Sequence, residues 1–465
     1  MENAPEEEVL APDDHADAYD ENPMDELVVQ VRQALQEDDQ VQVRELLEPF
    51  HAADQAELLN ILPSEDRQSV TSILAHDFDH EILPELEPEA ADDVFEALGL
   101  DRSAEALAYL ETDDAVHVIG EMTEANQQEM LGAIPAAARG ELEESLAFPE
   151  DSAGRLMTKR LVSVPEFWTV GDTIDYLRNN DSLPSNFYVV YVTDPKFKPV
   201  GRVTIGHIMQ SKRDTRMADI MSEQVYAVHS DTDQEEVAYT FRKYGLVETP
   251  VINEQGRLIG TITVDDVVDV IQEEEEEDFL RAGGLKTQDI QANLSTTVKR
   301  RFPWLFINLL TAVLASVVIG VFEETIAQLV ALAVLMPIVA SMGGNAGTQS
   351  VTVAVRAIAT RQLHTSNALR AIRKELLIGT LNGLGLSVIM AIGAFIIYQD
   401  MKLAVVLAVA TIITLMVAGF AGALIPVMLD RLRIDPAIAS GIFLTTVTDI
   451  VGFFTFLGLA SLMLL

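Results

Sequence analysis

Apolar positions along this chain change their period twice, and those changes divide it. From about Asp25 to Phe148 they recur at three and four, as in Leu46, Leu47 and Phe50, then Leu58, Leu59 and Leu62, which predicts short amphipathic helices. Polar breaks at Leu62-Pro-Ser-Glu-Asp and Leu100-Asp-Arg-Ser separate them, and the similar hinges predict a compact helical superhelix or repeat array. Short apolar runs follow. Asn186-Phe-Tyr-Val-Val-Tyr-Val-Thr and Pro250-Val-Ile read as buried strands, each followed by a turn and a strand that opens a helix: Gly201-Arg-Val-Thr-Ile-Gly-His-Ile and Gly260-Thr-Ile-Thr-Val-Asp-Asp-Val. Met157-Thr and Met221-Ser begin the two copies, so two α/β units about sixty residues apart form an internal duplication. Five apolar segments then run at roughly 304–322, 326–342, 376–398, 403–429 and 436–465, each near or above membrane-spanning length.

Charge sharpens this division. The first 280 residues carry 65 Asp and Glu against 18 Lys and Arg, a net of −47. Such a region repels nucleic acid and an anionic membrane surface, and either attracts cations or is simply a solvated acidic surface. Residues 1–24 are too polar to fold and read as a disordered acidic tail, with no secretory signal expected at this start. The chain has no Cys, which excludes disulfides and thiolate metal sites. Basic residues gather before the first span (Lys299, Arg300, Arg301), between the second and third (Arg356, Arg361, Arg370, Arg373, Lys374) and between the fourth and fifth (Arg431, Arg433). The remaining turns hold Glu323 and Glu324, or Asp400 with Lys402, so the positive-inside rule predicts a cytoplasmic N-terminus and an external C-terminus.

Residues 436–465 carry one charge, Asp449. A helix from Pro436 places it about 20 Å along the axis, deep in a hydrocarbon core of about 30 Å. A carboxylate there is costly and faces a partner or a water-filled path. The other apolar stretches hold no Lys or Arg deep within them, so a solvated cation is the natural partner, which predicts a cation pore. The run Met336-Pro-Ile-Val-Ala-Ser-Met-Gly-Gly-Asn-Ala-Gly-Thr-Gln-Ser350 ends the expected second span. Pro337 and the glycines predict a weakened or broken helix whose freed carbonyls, with Asn345, Thr348, Gln349 and Ser350, supply hard oxygen ligands. The same small residues equally suit a helix-packing seam.

The Gly-Gly-Asn-x-Gly-x-Gln-Ser run, Asp435-Pro-Ala and Thr448-Asp449-x-x-Gly452 resemble the MgtE family of magnesium channels, and the duplicated α/β units resemble a tandem pair of cystathionine-β-synthase (CBS) modules. The resemblance implies a multidomain fold: an all-α superhelical N domain at 25–150, an α/β tandem CBS domain at 151–272, an acidic linking helix at 273–298 that plugs the pore, and an α-helical membrane domain with five spans at 299–465. It implies a homodimer in the lipid bilayer of the cytoplasmic membrane, with the pore on the shared axis between second and fifth spans. Asp449 then matches the central selectivity carboxylate, with Asn345 and Thr445 as secondary pore-lining groups. Mg2+ is small and sheds water reluctantly, so paired carboxylates suit it through retained waters.

On a helix, Asp266, Asp269, Glu273, Glu276 and Glu277 cluster on one face, where divalent cations or a basic partner relieve their repulsion; the five successive glutamates equally suit a solvated linker. The resemblance implies that Mg2+ also regulates, binding Asp93 and Glu129 in the N domain, Glu235 and Asp269 in the second CBS unit, and Glu274, Glu277 and Asp278 at the linking helix. The chain departs from the family pattern at Ile442, Ala125 and Gly245, the last two standing where relatives carry acids, with Glu248 or Glu124 as substitutes. Thr263 and Asp266 fit a Thr-x-x-Asp spacing that holds ATP in CBS modules; the first copy has Thr204 and His207, and both threonines equally suit helix N-caps. His51 reads as a cap or packing residue. No nucleophilic triad and no phosphate-binding Gly-x-x-x-x-Gly-Lys loop is present, which predicts neither an enzyme nor an ATP-driven pump. The rivals are a Co2+ or Mn2+ transporter and a membrane-anchored CBS sensor that does not conduct.

Overall fold

The computed structural model describes residues 23–180, 183–184, 186–285, 294–364 and 366–464. The expected acidic tail lies outside them, apart from Pro23 and Met24, which open the first helix. The chain divides into two compact units, residues 1–272 and 273–465.

In the first unit, α1 (Pro23–Gln36), α2 (Gln40–Leu47), α3 (Ala52–Ile61) and α4 (Ser64–Leu74) lead into a 3-10 turn at His80–Glu85. Next come α5 (Pro88–Leu98), α6 (Leu100–Tyr109), α7 (Thr112–Gly120), α8 (Glu124–Ala133) and α9 (Ala136–Leu146). Their three-and-four spacing buries one continuous core that includes Val43, Leu58, Val70, Ile82, Val94 and Ile119. Local chemistry sets the starts. His51 caps α3 through Nδ1 in a reciprocal box with Asp54, as the sequence predicts, and Pro88 opens α5 where its missing N–H costs nothing.

Two α/β units follow. The first contains α10 (Ala153–Leu156), β1 (Ser163–Pro165), α11 (Val170–Asn179), β2 (Val189–Thr193), β3 (Pro199–Thr204) and α12 (Ile205–Gln210). The second contains α13 (Met217–Ile220), β4 (Val228–His229), α14 (Gln234–Tyr244), β5 (Glu248–Ile252), β6 (Leu258–Thr263) and α15 (Val264–Ala282). Each has a three-stranded sheet in chain order, its first two strands parallel and its last two antiparallel. The copies exchange their beginnings: Thr158 bridges to Thr261 and Ser222 to Arg202. Met157 lies on Gly260 and Met221 on Gly201, and a Cβ at Gly260 would meet the Met157 sulfur at 2.6 Å. The repeated Met-polar dipeptide and repeated glycine therefore belong to one packing device.

α15 crosses from one unit to the other. Val267 and Val270 join the core of the second CBS unit, while residues from Glu273 belong to the second unit. The acidic run is thus the continuation of a helix that starts at Val264, inside the expected CBS pair, and residues 286–293 of the expected linking helix lie outside the described residues.

The second unit contains α16 (Leu294–Val321), the short α17 (Glu323–Gln328), α18 (Ala331–Ala359), α19 (Ala368–Tyr398), α20 (Met401–Arg431) and α21 (Pro436–Met463). Among the described residues, five helices are long and apolar enough to cross a membrane. The second corrects the sequence reading twice. It starts after α17 and runs to Ala359, not 342, and it stays helical through Pro337, Gly343, Gly344 and Gly347. Within hydrocarbon a broken helix strands backbone groups, so the helical hydrogen bonds outweigh the weak helix propensity of glycine measured in water. Glycines elsewhere let helices touch: a Cβ at Gly383 of α19 would sit 3.0 Å from the Ile412 Cα of α20. The centre of α20, with Ala410, Thr411, Thr414, Ala418, Gly419 and Gly422, is buried among its neighbours.

Candidate ion pathway and regulatory sites

α18 packs against α20 and α21 through small residues. A Cβ at Gly343 would meet Thr414 at 2.7 Å, and one at Gly347 would meet Leu444 at 2.7 Å. These two glycines form the packing seam that the sequence left as one of two readings. The opposite side of α18 is different: Ser341, Asn345, Thr348, Gln349 and Thr352 are exposed at helical spacing. On α21 the series Gly441, Thr445 and Asp449 repeats every four residues, with Gly441 and Thr445 exposed and Asp449 half-buried. Thr445 and Thr348 donate their hydroxyl protons to carbonyls of their own helices, Gly441 at 2.9 Å and Gly344 at 3.0 Å, which leaves the lone pairs of their hydroxyl oxygens to accept. Among the described residues no basic side chain pairs with Asp449. A polar stripe facing hydrocarbon is unfavourable, so these faces suit water or another polar protein surface.

α21 begins at a built cap. Asp435 accepts from the Ala437 N–H at 2.7 Å through Oδ1, with Pro436 at the first helical position. Its other oxygen accepts from Arg281 Nη1 at 3.0 Å, and Arg281 also pairs with Glu277 one turn earlier. Burial pushes Asp278 above the usual carboxylate range, and the charges of Asp435, Glu274 and Glu275 push it the same way. Of the three linking-helix candidates, Glu277 pairs with Arg281, which bonds Asp435, while Asp278 feels the charges of Asp435 and Glu274. Sequence reasoning missed Arg281; its spacing of four from Glu277 was the available signal.

In the first unit the candidate regulatory carboxylates are spread out. Asp93 accepts from the buried Arg67 at 2.5 Å, from Ser64 at 2.9 Å and from Gln68 at 3.2 Å. Glu129, Glu235 and Asp269 are exposed on α8, α14 and α15. Burial and Asp265 raise Asp269's pKa while His117 opposes them. Among the described residues no three Asp, Glu or His side chains converge as a metal shell. Glu248 does not replace the acid missing at Gly245. It is 2% exposed and accepts from the N–H groups of Tyr188 and Val189 at 3.1 and 3.2 Å, while its Oε1 bonds Thr261, which meets the Tyr191 hydroxyl at 2.8 Å. Gly245 itself closes α14 at φ +60°, a left-handed position that favours glycine over an acidic residue. Glu124 is exposed at the start of α8. Thr263 donates to Asp266 from its hydroxyl at 2.6 Å and from its N–H at 3.2 Å, so the pair closes on itself at the start of α15. Thr204 accepts from His207 N–H as the N-cap of α12.

Helical and CBS domains followed by five spanning helices with a carboxylate in the middle of the last define a multi-pass membrane protein of the ion-transporting kind. Residues 336–459 match the MgtE family described as divalent cation transporter, residues 50–151 its intracellular N domain, and residues 153–214 and 217–273 the CBS domain. The magnesium transporter MgtE of Enterococcus faecalis is 34% identical over 70% of this chain and 71% of its own length; that of Bacillus subtilis is 30% identical over 85% and 88%. The Thermus thermophilus relative is 34% identical over 76% and 78%. A solved cytosolic domain of the Mg2+ channel MgtE in complex with ATP is 35% identical, covers 52% of this chain and 99% of its own, and has a TM-score of 0.48. The chain belongs to the MgtE family of divalent cation transporters, a family of transporters and not of enzymes.

Proposed function

We propose that two copies of this chain form a Mg2+ channel in the cytoplasmic membrane, with the N-terminus in the cytoplasm and the C-terminus outside, closed by cytosolic Mg2+. The observation that carries this reading is Asp449, set at the centre of the last span beside polar positions on an otherwise apolar helix. Two such carboxylates across a dimer axis hold a hydrated Mg2+ through its waters, and the uncovered stripe of Asn345, Thr348 and Gln349 supplies neutral oxygens along the path. The relatives named magnesium transporters support Mg2+ as the ion. Co2+ and Mn2+ are the rival cargo; a path without Cys or a His in the last span is less suited to Co2+, whereas its oxygen ligands also suit Mn2+.

Regulation follows from the net −47 of the first 280 residues. At low internal Mg2+ the acidic surfaces repel one another. As Mg2+ rises, it binds the compact arrangement preferentially at Glu129, Glu235, Asp269, Glu274, Glu277 and Asp278, with Asp93 already held by Arg67, and shifts the population toward closed. ATP binding at Thr263 and Asp266 belongs to the same regulatory layer and exchanges their mutual hydrogen bonds for contacts to ribose and phosphate.

Mg2+ flux into proteoliposomes tests this, comparing wild type with Asp449→Asn and Asp449→Ala at low and high Mg2+ on the cytoplasmic face. The expected result is wild-type flux that falls at high Mg2+ and is lost in both variants. Equal flux in all three proteins overturns the pore assignment, and wild-type flux indifferent to cytoplasmic Mg2+ overturns the gate.

A further inference from the structure

Hydroxyl groups in the spanning helices share one habit. Thr348, Thr380, Thr411, Thr445 and Thr448 each donate to the carbonyl four residues earlier in their own helix, which satisfies the proton without water. Thr414, at the centre of α20, does not. It is 1% exposed, and its Oγ1 is buried without a hydrogen-bond partner. Among the described residues no other buried side-chain oxygen or nitrogen of the second unit is left so. A buried hydroxyl without a partner is costly, so its surroundings must be asked for one.

Thr414 stands where α18, α20 and α21 meet. Its methyl is the group that a Cβ at Gly343 would meet at 2.7 Å, and the same Cβ would lie 3.5 Å from the Thr448 Cβ on α21. A Cβ at Gly452 would touch the Thr414 methyl at 3.5 Å, its hydroxyl oxygen at 3.7 Å and Val339 at 3.8 Å. The methyl therefore fills the notch at Gly343, while the hydroxyl borders the bare backbone of Gly452. Asp449 is three residues before Gly452, and helical positions three apart hold their Cβ atoms about 5–6 Å from one another. Asp449 is half-buried and has no basic partner among the described residues.

We propose, resting on the reading of Asp449 as the pore carboxylate, that Thr414 is its positioning residue. The Thr414 hydroxyl donates to one ordered water beside Gly452, and that water donates to an Asp449 oxygen. Such a water has the two polar partners that a buried water requires. A carboxylate fixed through one oxygen presents the other in a constant direction, which suits an ion held through its own ordered waters. A loose carboxylate must be ordered by the ion, at a cost in affinity. Gly452 serves the same end, because a side chain there would crowd the water.

Thr414→Val keeps the branched shape and deletes only the hydroxyl, whereas Thr414→Ser keeps the hydroxyl. In proteoliposomes of the full-length protein, Thr414→Val is expected to raise the Mg2+ concentration for half-maximal flux about three- to tenfold, with Thr414→Ser within about twofold of wild type. An unchanged half-maximal concentration in Thr414→Val overturns the positioning role. Melting of the purified protein reads the link without conduction. Thr414→Val is expected to lower the melting temperature in the wild-type background, and to leave it unchanged or raised in Asp449→Ala, where the acceptor is already gone. Unchanged or higher melting in the wild-type background overturns the proposal, because the hydroxyl then had no partner to lose. An equal loss in both backgrounds overturns it too, by giving the hydroxyl a partner other than Asp449. If Asp449→Ala conducts as wild type does, the pore reading falls and the melting comparison alone decides the link. Should Thr414→Val fail to fold, Gly452→Ala takes its place in both measurements, since its methyl meets only ordinary contacts and displaces the water.

Discussion

Arg281 donates to Asp435 at 3.0 Å across 154 residues of sequence, and Asp435 caps the helix that carries Asp449. One carboxylate thus serves two helices: Oδ1 completes the first turn of α21, and Oδ2 fastens the end of α15. The acidic end of α15 is therefore tied to the helix that carries Asp449 by a cation supplied by the chain.

These roles separate by substitution. Asp435→Asn keeps a good N-cap and loses the ion pair, worth about 0–1 kcal/mol because both partners are roughly a third exposed. Asp435→Ala loses the cap as well, at about 1 kcal/mol more. Thermal unfolding of the purified protein should rank wild type, Asn, then Ala; equal melting of Asn and Ala variants would remove the cap from the account.

Gly347 and Gly344 are three residues apart on α18 and differ in surroundings. A Cβ at Gly347 meets Leu444, whereas one at Gly344 meets nothing within 4 Å. Gly347→Ala is expected to destabilise by about 1–3 kcal/mol through overpacking, and Gly344→Ala to be tolerated or mildly stabilising. Melting temperatures in detergent decide it, and the reverse order would contradict the α18–α21 seam.

Glu248 links the two CBS units from within. Burial raises its pKa above 4.5, so its native form favours the proton and stability should fall as pH rises through the raised value. Glu248→Gln can still accept from Tyr188 and Val189 and donate to Thr261, and should flatten that pH dependence. Glu248→Ala leaves two N–H groups unsatisfied at about 1–3 kcal/mol each. Unfolding between pH 4 and 8 distinguishes the three proteins.

Along the proposed pathway, Asn345→Ala and Thr445→Ala remove neutral oxygens and not the central charge. Each is expected to lower Mg2+ flux by about two- to tenfold, the range for one hydrogen bond, where Asp449→Ala abolishes it. Flux unchanged in both would move the path off these faces.

The divisions of this chain were legible before any coordinates because they rest on local periodicity. Helices, strands and spans announce themselves by which positions near in sequence are apolar, and a lone Asp449 within thirty residues stands out for the same reason. The duplicated Met and Gly positions were visible as a repeat, but that each Met packs on the other copy's Gly is a matter of how the two units exchange strands. Of the weakened or broken helix that Pro337 and the glycines predict, the break does not occur, because sequence propensity weighs a helix against water, whereas this helix is held by neighbours that fit Gly343 and Gly347. The acidic candidates show the same limit. Sequence alone marks Asp93, Asp113, Glu248 and Asp435 as equivalent carboxylates in an acidic chain. Tertiary structure gives Asp93 a buried arginine, Glu248 two backbone N–H groups and Asp435 a helix to cap, and leaves one oxygen of Asp113 buried without a hydrogen-bond partner. Charge is a property of a residue, but its energy depends on what surrounds it, and those surroundings are assembled from distant parts of the chain.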